Sequence, residues 1–212
     1  MPLANPLRAV HTIAGFVIAA TLTSVSSGAL IVVSDHSLFS SIVSSAGGSE
    51  LGVTFGRYTG YYDSGLNGGS GDAAWTATAV GGLRAGGGMI STNVVSASLT
   101  MNFASSNVFA IGGEFFATNF DFDTVNGAMK VEVDGLGYVF NTHALSNGFV
   151  GFVNTSGEMH TITISLFGSG SGSRFATTDG MVVGAIPAPG ALAVVAIGSL
   201  VAGRRRRAEA VS

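Results

Sequence analysis

The chain has 212 residues, 10% of them charged and 47% hydrophobic, a composition that fits one globular domain of roughly 150 residues with segments of another kind at both ends. Residues 30–185 hold four basic residues against eleven acidic ones, a balance of −7, and so few and so dispersed cations exclude a phosphate-backbone ligand. No nucleic-acid partner is expected, and the absence of cysteine excludes disulfides, a thiolate nucleophile and Cys-ligated metal sites.

The N-terminus places Arg8 ahead of an apolar run over residues 9–22, broken only by His11 and Thr12, and then the small-residue stretch SVSSGA. Basic, apolar and small segments in that order predict a secretory signal peptide over residues 1–29, with Ser27 and Ala29 in the −3 and −1 pockets of signal peptidase. The apolar run is shorter than the roughly 20 residues that span a bilayer, which favours cleavage over a lasting anchor.

Residues 30–184 read as an extracellular β domain. Segment 34–49 is weakly patterned and holds the only candidate short helix. Strands are expected at 51–58, 73–80, 94–103, 107–117, 129–134, 136–141, 148–153, 159–167 and 174–183, separated by Gly, Asn, Ser and Asp clusters. Alternation is cleanest in two of them. Met129, Val131 and Val133 share one face against Lys130, Glu132 and Asp134, and Ile162, Ile164 and Leu166 oppose Thr161, Thr163 and Ser165.

Turn signals about every ten residues, with no helices to carry parallel crossovers, predict an antiparallel β-sandwich of jelly-roll type. A β-solenoid is the alternative architecture, although the chain has no fixed-period repeat. The Gly- and Ser-rich stretches 63–72 and 81–88 are expected as long loops at one end of the sandwich.

The C-terminal segment 185–212 combines Pro187, Ala188 and Pro189, then small and aliphatic residues over 190–203, then Arg204, Arg205, Arg206 and Arg207. At about 1.5 Å per residue the apolar stretch is marginal for a bilayer span, as suits a temporary membrane stop. The arginines would hold the C-terminus in the cytoplasm and leave the domain outside, in agreement with the N-terminal signal.

These three elements in this order resemble the PEP-CTERM sorting family, whose tail combines a Pro-Glu-Pro element, a short transmembrane stretch and a basic terminus. Ala188 stands where the usual motif has Glu. The resemblance implies processing by an exosortase in an exopolysaccharide-producing Gram-negative bacterium, with the product released or attached outside the cell and the membrane only a transient partner. Pro187 to Pro189 would then be a recognition site for another enzyme. The second half of the domain, AIGGEFFATNF through RFATTDGMVVG, is more loosely similar to the small β-sandwich domains often carried by PEP-CTERM proteins, which implies a jelly-roll of the carbohydrate-binding kind.

Chemistry-bearing residues are sparse in the domain. His36, His143 and His160 are its histidines, and no Gly-x-Ser-x-Gly elbow accompanies them. His160 reads as a core-edge or strand-start residue, and His36 and His143 as solvated ones. Glu114 beside Phe115 and Phe116 is a carboxylate whose pKa aromatic neighbours could raise, although water on the polar strand face is the plainer reading. The loop DFDTVNG presents Asp121, Asp123 and Asn126 as oxygen ligands for Ca²⁺, with Glu132 at the twelfth position, but Val125 and Asn126 break the EF-hand pattern. A hairpin turn with positive φ at Asn126-Gly127 is the simpler expectation. Asp179 beside Gly180 is a second calcium candidate; no other cofactor is expected.

Rings near the glycine-rich stretches, Tyr58, Tyr61, Tyr62 and Trp75, are candidates for stacking on a sugar, with core packing favoured for Trp75 and at least one of Tyr61 and Tyr62 exposed. The expectation is thus an exported, non-enzymatic cell-surface or extracellular-matrix protein, weakly binding extracellular polysaccharide, with no catalytic residues. A secreted polysaccharide hydrolase is the alternative.

Overall fold

The computed structural model describes residues 30–141, 148–155, 157–168 and 172–186. Period-2 alternation of apolar side chains builds the smaller of two antiparallel sheets. Its strands are β4 (Leu66–Gly68), β5 (Trp75–Ala79), β8 (Leu99–Phe103), β11 (Ala128–Val133), β12 (Leu136–Asn141) and β14 (Thr161–Phe167). They run in the order β12-β11-β14-β8-β5-β4. The sequence-predicted faces are those found: Met129, Val131, Val133, Ile162 and Ile164 are buried, while the residues between them are half-buried.

The larger, nine-stranded sheet has the path β1-β13-β9-β15-β7-β6-β3, made of β1 (Leu30–Val33), β13 (Phe149–Asn154), β9 (Val108–Thr118), β15 (Phe175–Ala185), β7 (Met89–Thr92), β6 (Leu83–Gly86) and β3 (Gly60–Tyr62). Beside this path, β2 (Ser49–Val53) pairs with β15 and β10 (Thr124–Val125) pairs with β9. A bulge between Asp179 and Val182, with Gly180 at φ +56°, marks where β15 exchanges β7 for β2 as its neighbour. The two sheets enclose one core in which Leu99, Met101, Ile162 and Ile164 meet Ile111, Phe115, Val150, Phe152 and Val183.

β9 and β13 read as nearly continuous apolar runs because both of their faces are covered. Helix α1 (His36–Ser45) lies on the outer face of the large sheet. Asp35 caps it, accepting the Leu38 N–H at 2.9 Å, and Gly47 in the left-handed region (φ +78°) follows its end. Phe39 and Val43, four apart, face the sheet and form a second core with Val33, Phe109, Ala110, Phe149 and Val153. Close approach is possible because the strands carry glycine beneath the helix: a Cβ on Gly151 would lie 2.5 Å from Phe39, and one on Gly184 2.7 Å from Val43.

Segment 34–49 therefore does hold the only α-helix among the described residues, and the predicted strands find counterparts, the one expected at 51–58 being shifted to Ser49–Val53. Three expectations need correction. The stretches 63–72 and 81–88 are not plain loops, since they contain β4, a 3-10 turn at Gly71–Ala73 and β6. The strand expected at 94–103 begins only at Leu99, because Ser96 takes φ +62°. The turn before β10 places positive φ at Phe122 (+66°) instead of Asn126-Gly127, and the tight two-residue hairpin is Asp134-Gly135, at φ +47° and +84°.

One row of cross-strand partners, Ile31, Val153, Ala110 and Gly184, crosses the large sheet. Leu30 and Ala185 lie one residue beyond it at the same end, three strand spacings or roughly 14 Å apart. Both ends of the described domain lie at this pole. Ile186 still donates its N–H to Asn107 O (3.0 Å).

Candidate functional site

The aromatic residues singled out in the sequence fall into one neighbourhood with unequal exposure. Trp75 is 3% exposed, edge-on to Phe55 (centroids 5.4 Å) and Tyr58 (5.8 Å), so neither ring face is open to a sugar and its place is in the core. Tyr62 is half-buried, edge-on to Tyr58, with its hydroxyl donating to Thr59 O and accepting from Thr59 N–H. Tyr61, its neighbour on β3, points the other way, is 54% exposed and donates to Gly81 O. Of the three it alone offers a ring to solvent.

Beside this cluster lies a cavity of about 410 Å³ bordered by Thr54, Arg57, Ser70 and Trp75 and by the backbone of Gly52 and Gly69. Arg57 Nη2 donates to the Tyr58 hydroxyl (2.5 Å) and its guanidinium lies 4.8 Å from the Tyr58 ring centre. The Tyr58 hydroxyl in turn donates to Asn67 O. Thr54, Arg57 and Ser70 were not singled out by sequence reasoning; the available signal was a lone cation ahead of the glycine-rich stretch.

The acidic candidates are dispersed. Asn119 organises the loop after β9: its Oδ1 accepts the N–H groups of Asp121 and Asp123, both at 2.9 Å, and its Nδ2 donates to Asp123 Oδ2 (3.0 Å). Arg84 anchors the same loop by donating to Phe120 O (2.6 Å), with its guanidinium 3.6 Å from the Phe120 ring centre. Asp179 lies away from that loop, on β15 opposite Glu114 of β9, so the three calcium candidates are not brought together. Among the described residues no group of three His, Cys, Asp or Glu side chains is placed to hold a metal ion.

Glu114 is exposed on the outer face and borders a cavity of about 250 Å³ with His36, Phe149, Gly180 and Val182. Partial desolvation, and then the charge of Asp179, push its carboxyl above the usual range. His36 meets Glu50 at 2.7 Å (Nε2 to Oε1), and Ser40 donates to the other Glu50 oxygen (2.6 Å), fastening α1 to β2. His160 stands at the start of β14, exposed and beside Glu158 (3.1 Å), while the Asp134 carboxylate accepts its backbone N–H and that of Thr161. Met159 takes the buried position instead.

At the pole where the described ends lie, a cavity of about 640 Å³ lies between Ala46, Val108, Phe109, Glu158 and Ile186. His143, Ser27 and Ala29 of the expected signal-peptidase site, and Pro187, Ala188, Pro189 and Arg204 to Arg207 of the expected sorting tail lie outside the described residues. Among those described, no helix is long and apolar enough to cross a membrane.

No family model matches the chain, and no curated protein matches it. A solved structure that does match is that of exo-β-1,3-galactanase from Phanerochaete chrysosporium with galactose, at 18% identity and a TM-score of 0.31. The match covers 64% of this chain and 29% of that one, so this chain spans under a third of the galactanase's length. At that score the likeness carries no argument about function.

Proposed function

We propose that this protein is an exported, non-enzymatic component of the cell surface or extracellular matrix of a Gram-negative bacterium, delivered by a PEP-CTERM-type sorting tail and weakly binding extracellular polysaccharide. Its β-sandwich is, in this reading, a jelly-roll of the carbohydrate-binding kind. The observation that carries the proposal is the placement of both described ends, Leu30 and Ala185, at one pole beyond the Ile31–Val153–Ala110–Gly184 row. A domain whose signal peptide and tail join it at one pole can be threaded out and held at the membrane without crossing its own sheet, leaving the opposite loops free.

Signal peptidase and an exosortase are the processing partners in this account, acting at Ala29 and at Pro187 to Pro189. Replacement of Arg204 to Arg207 by neutral residues tests it: the positive-inside hold is removed, and the tail should no longer be retained and processed. Normal processing of that variant would contradict the sorting role.

The Glu114–Asp179 pair beside a cavity favours one second reading, a polysaccharide hydrolase in which Glu114 with its raised pKa serves as the acid. Release of reducing ends from a polysaccharide by the wild type, abolished in Glu114→Gln, would establish it.

A further inference from the structure

We propose that the cavity at Arg57 is a subsite for an acidic sugar, in which the guanidinium takes the carboxylate of a uronate unit. The proposal deepens the glycan-binding reading above and rests on it. The four cations of the domain have different surroundings. Lys130 is paired with Glu132 (2.8 Å), Arg84 is spent on Phe120 O and the Phe120 ring, and Arg174 donates to Asn126 O. Arg57 borders a cavity, is exposed, and has no carboxylate of the described residues within ion-pair distance.

Its head group is nonetheless held in place. One nitrogen is fixed on the Tyr58 hydroxyl and the plane rests near the Tyr58 ring, which abuts Trp75 and, through it, Phe55 in the core. The remaining N–H groups form the fork that recognises a carboxylate in two-point fashion, and little ordering entropy is left to lose on binding. The Thr54 and Ser70 hydroxyls on the same rim suit sugar hydroxyls, and 410 Å³ falls within the roughly 300–1,000 Å³ range of small-molecule sites.

Two of the bordering residues are glycines with different surroundings. Gly69 takes φ +70°, and a Cβ there would collide with Ala73 O. A Cβ on Gly52 would meet nothing within 4 Å, so a larger side chain there enters open space without disturbing the fold. The net negative charge of the domain does not forbid an anionic ligand, because at physiological salt its repulsion is screened beyond about 8 Å.

The test is titration of the full-length chain in detergent with tetragalacturonate, its neutral methyl ester and a neutral galactan oligosaccharide. Fluorescence of Trp75, the single tryptophan and part of the cavity wall, reports binding. The acid should bind roughly tenfold or more tightly than its ester, Arg57→Gln should remove that preference, Arg57→Lys should retain part of it, and Gly52→Leu should block binding with the thermal midpoint unchanged. Equal binding of acid and ester, or an unaltered preference in Arg57→Gln, overturns the acidic subsite while leaving glycan binding standing. Binding of the neutral oligosaccharide alone does the same, whereas no binding of any saccharide removes the glycan-binding reading with it.

Discussion

Glu114 on β9 and Asp179 on β15 are direct cross-strand partners, two carboxylates side by side at the bulge where β15 changes neighbours. Desolvation and the Asp179 charge raise the folded-state pKa of Glu114, so the folded chain holds this proton more tightly than the unfolded one. Stability must fall as pH rises through the window between the unfolded carboxyl value and the raised one. Glu114→Gln is therefore expected to raise the thermal midpoint at pH 7, with no difference from wild type well below pH of about 4. Melts at the two pH values check this, and a lowered midpoint at neutral pH would contradict it.

Asp72 has the opposite sign. Ser105 Oγ (2.5 Å) and Asn107 Nδ2 (2.9 Å) donate to its Oδ1, and these bonds hold its carboxyl below the usual range. Their contribution is present above the unfolded carboxyl value and lost as pH falls through the folded one. Asp72→Ala should lower the midpoint at pH 7, and the gap should close on acidification.

The glycines under α1 separate packing from mere glycine content. Gly151→Val drives a side chain into Phe39 and Val33 and should cost about 1–3 kcal/mol in denaturant unfolding. Gly52→Ala, with open space around the new methyl, should leave unfolding within about 0.5 kcal/mol of wild type.

Asp134 occupies the left-handed region in the β11–β12 hairpin while its carboxylate accepts two N–H groups at the start of β14. Asp134→Val places a β-branched residue at φ +47° and should cost about 1–3 kcal/mol, whereas Asp134→Asn, which tolerates that backbone and keeps an acceptor, should cost far less. Chemical denaturation of the pair measures the difference.

Strands were legible where one face meets the core and the other meets water, as in Met129–Val131–Val133 and Ile162–Ile164, because period-2 alternation records that asymmetry. It was not legible in β3, β4 and β6. These are three or four residues long and glycine-containing, and their pairing is settled by neighbouring strands instead of by their own residues. The role of Gly151 and Gly184 as a bed for Phe39 and Val43 depends on two strands that each lie more than 100 residues from α1 in the chain, which no local pattern records. The candidate site was half legible. Aromatic residues near the glycine-rich stretches did mark the neighbourhood, yet Trp75 is in the core and the open polar group beside it is Arg57, whose lack of a carboxylate partner among the described residues appears only in three dimensions.

The sorting account is tested most directly by the intact mass of the protein recovered from the producing bacterium, compared between cell envelope and medium. A species that lacks residues 1–29 and everything beyond about Pro187 is expected, with both cuts outside the described strands β1 and β15. A mature mass that keeps the apolar stretch and Arg204 to Arg207 would contradict it and make the chain a stably anchored envelope protein.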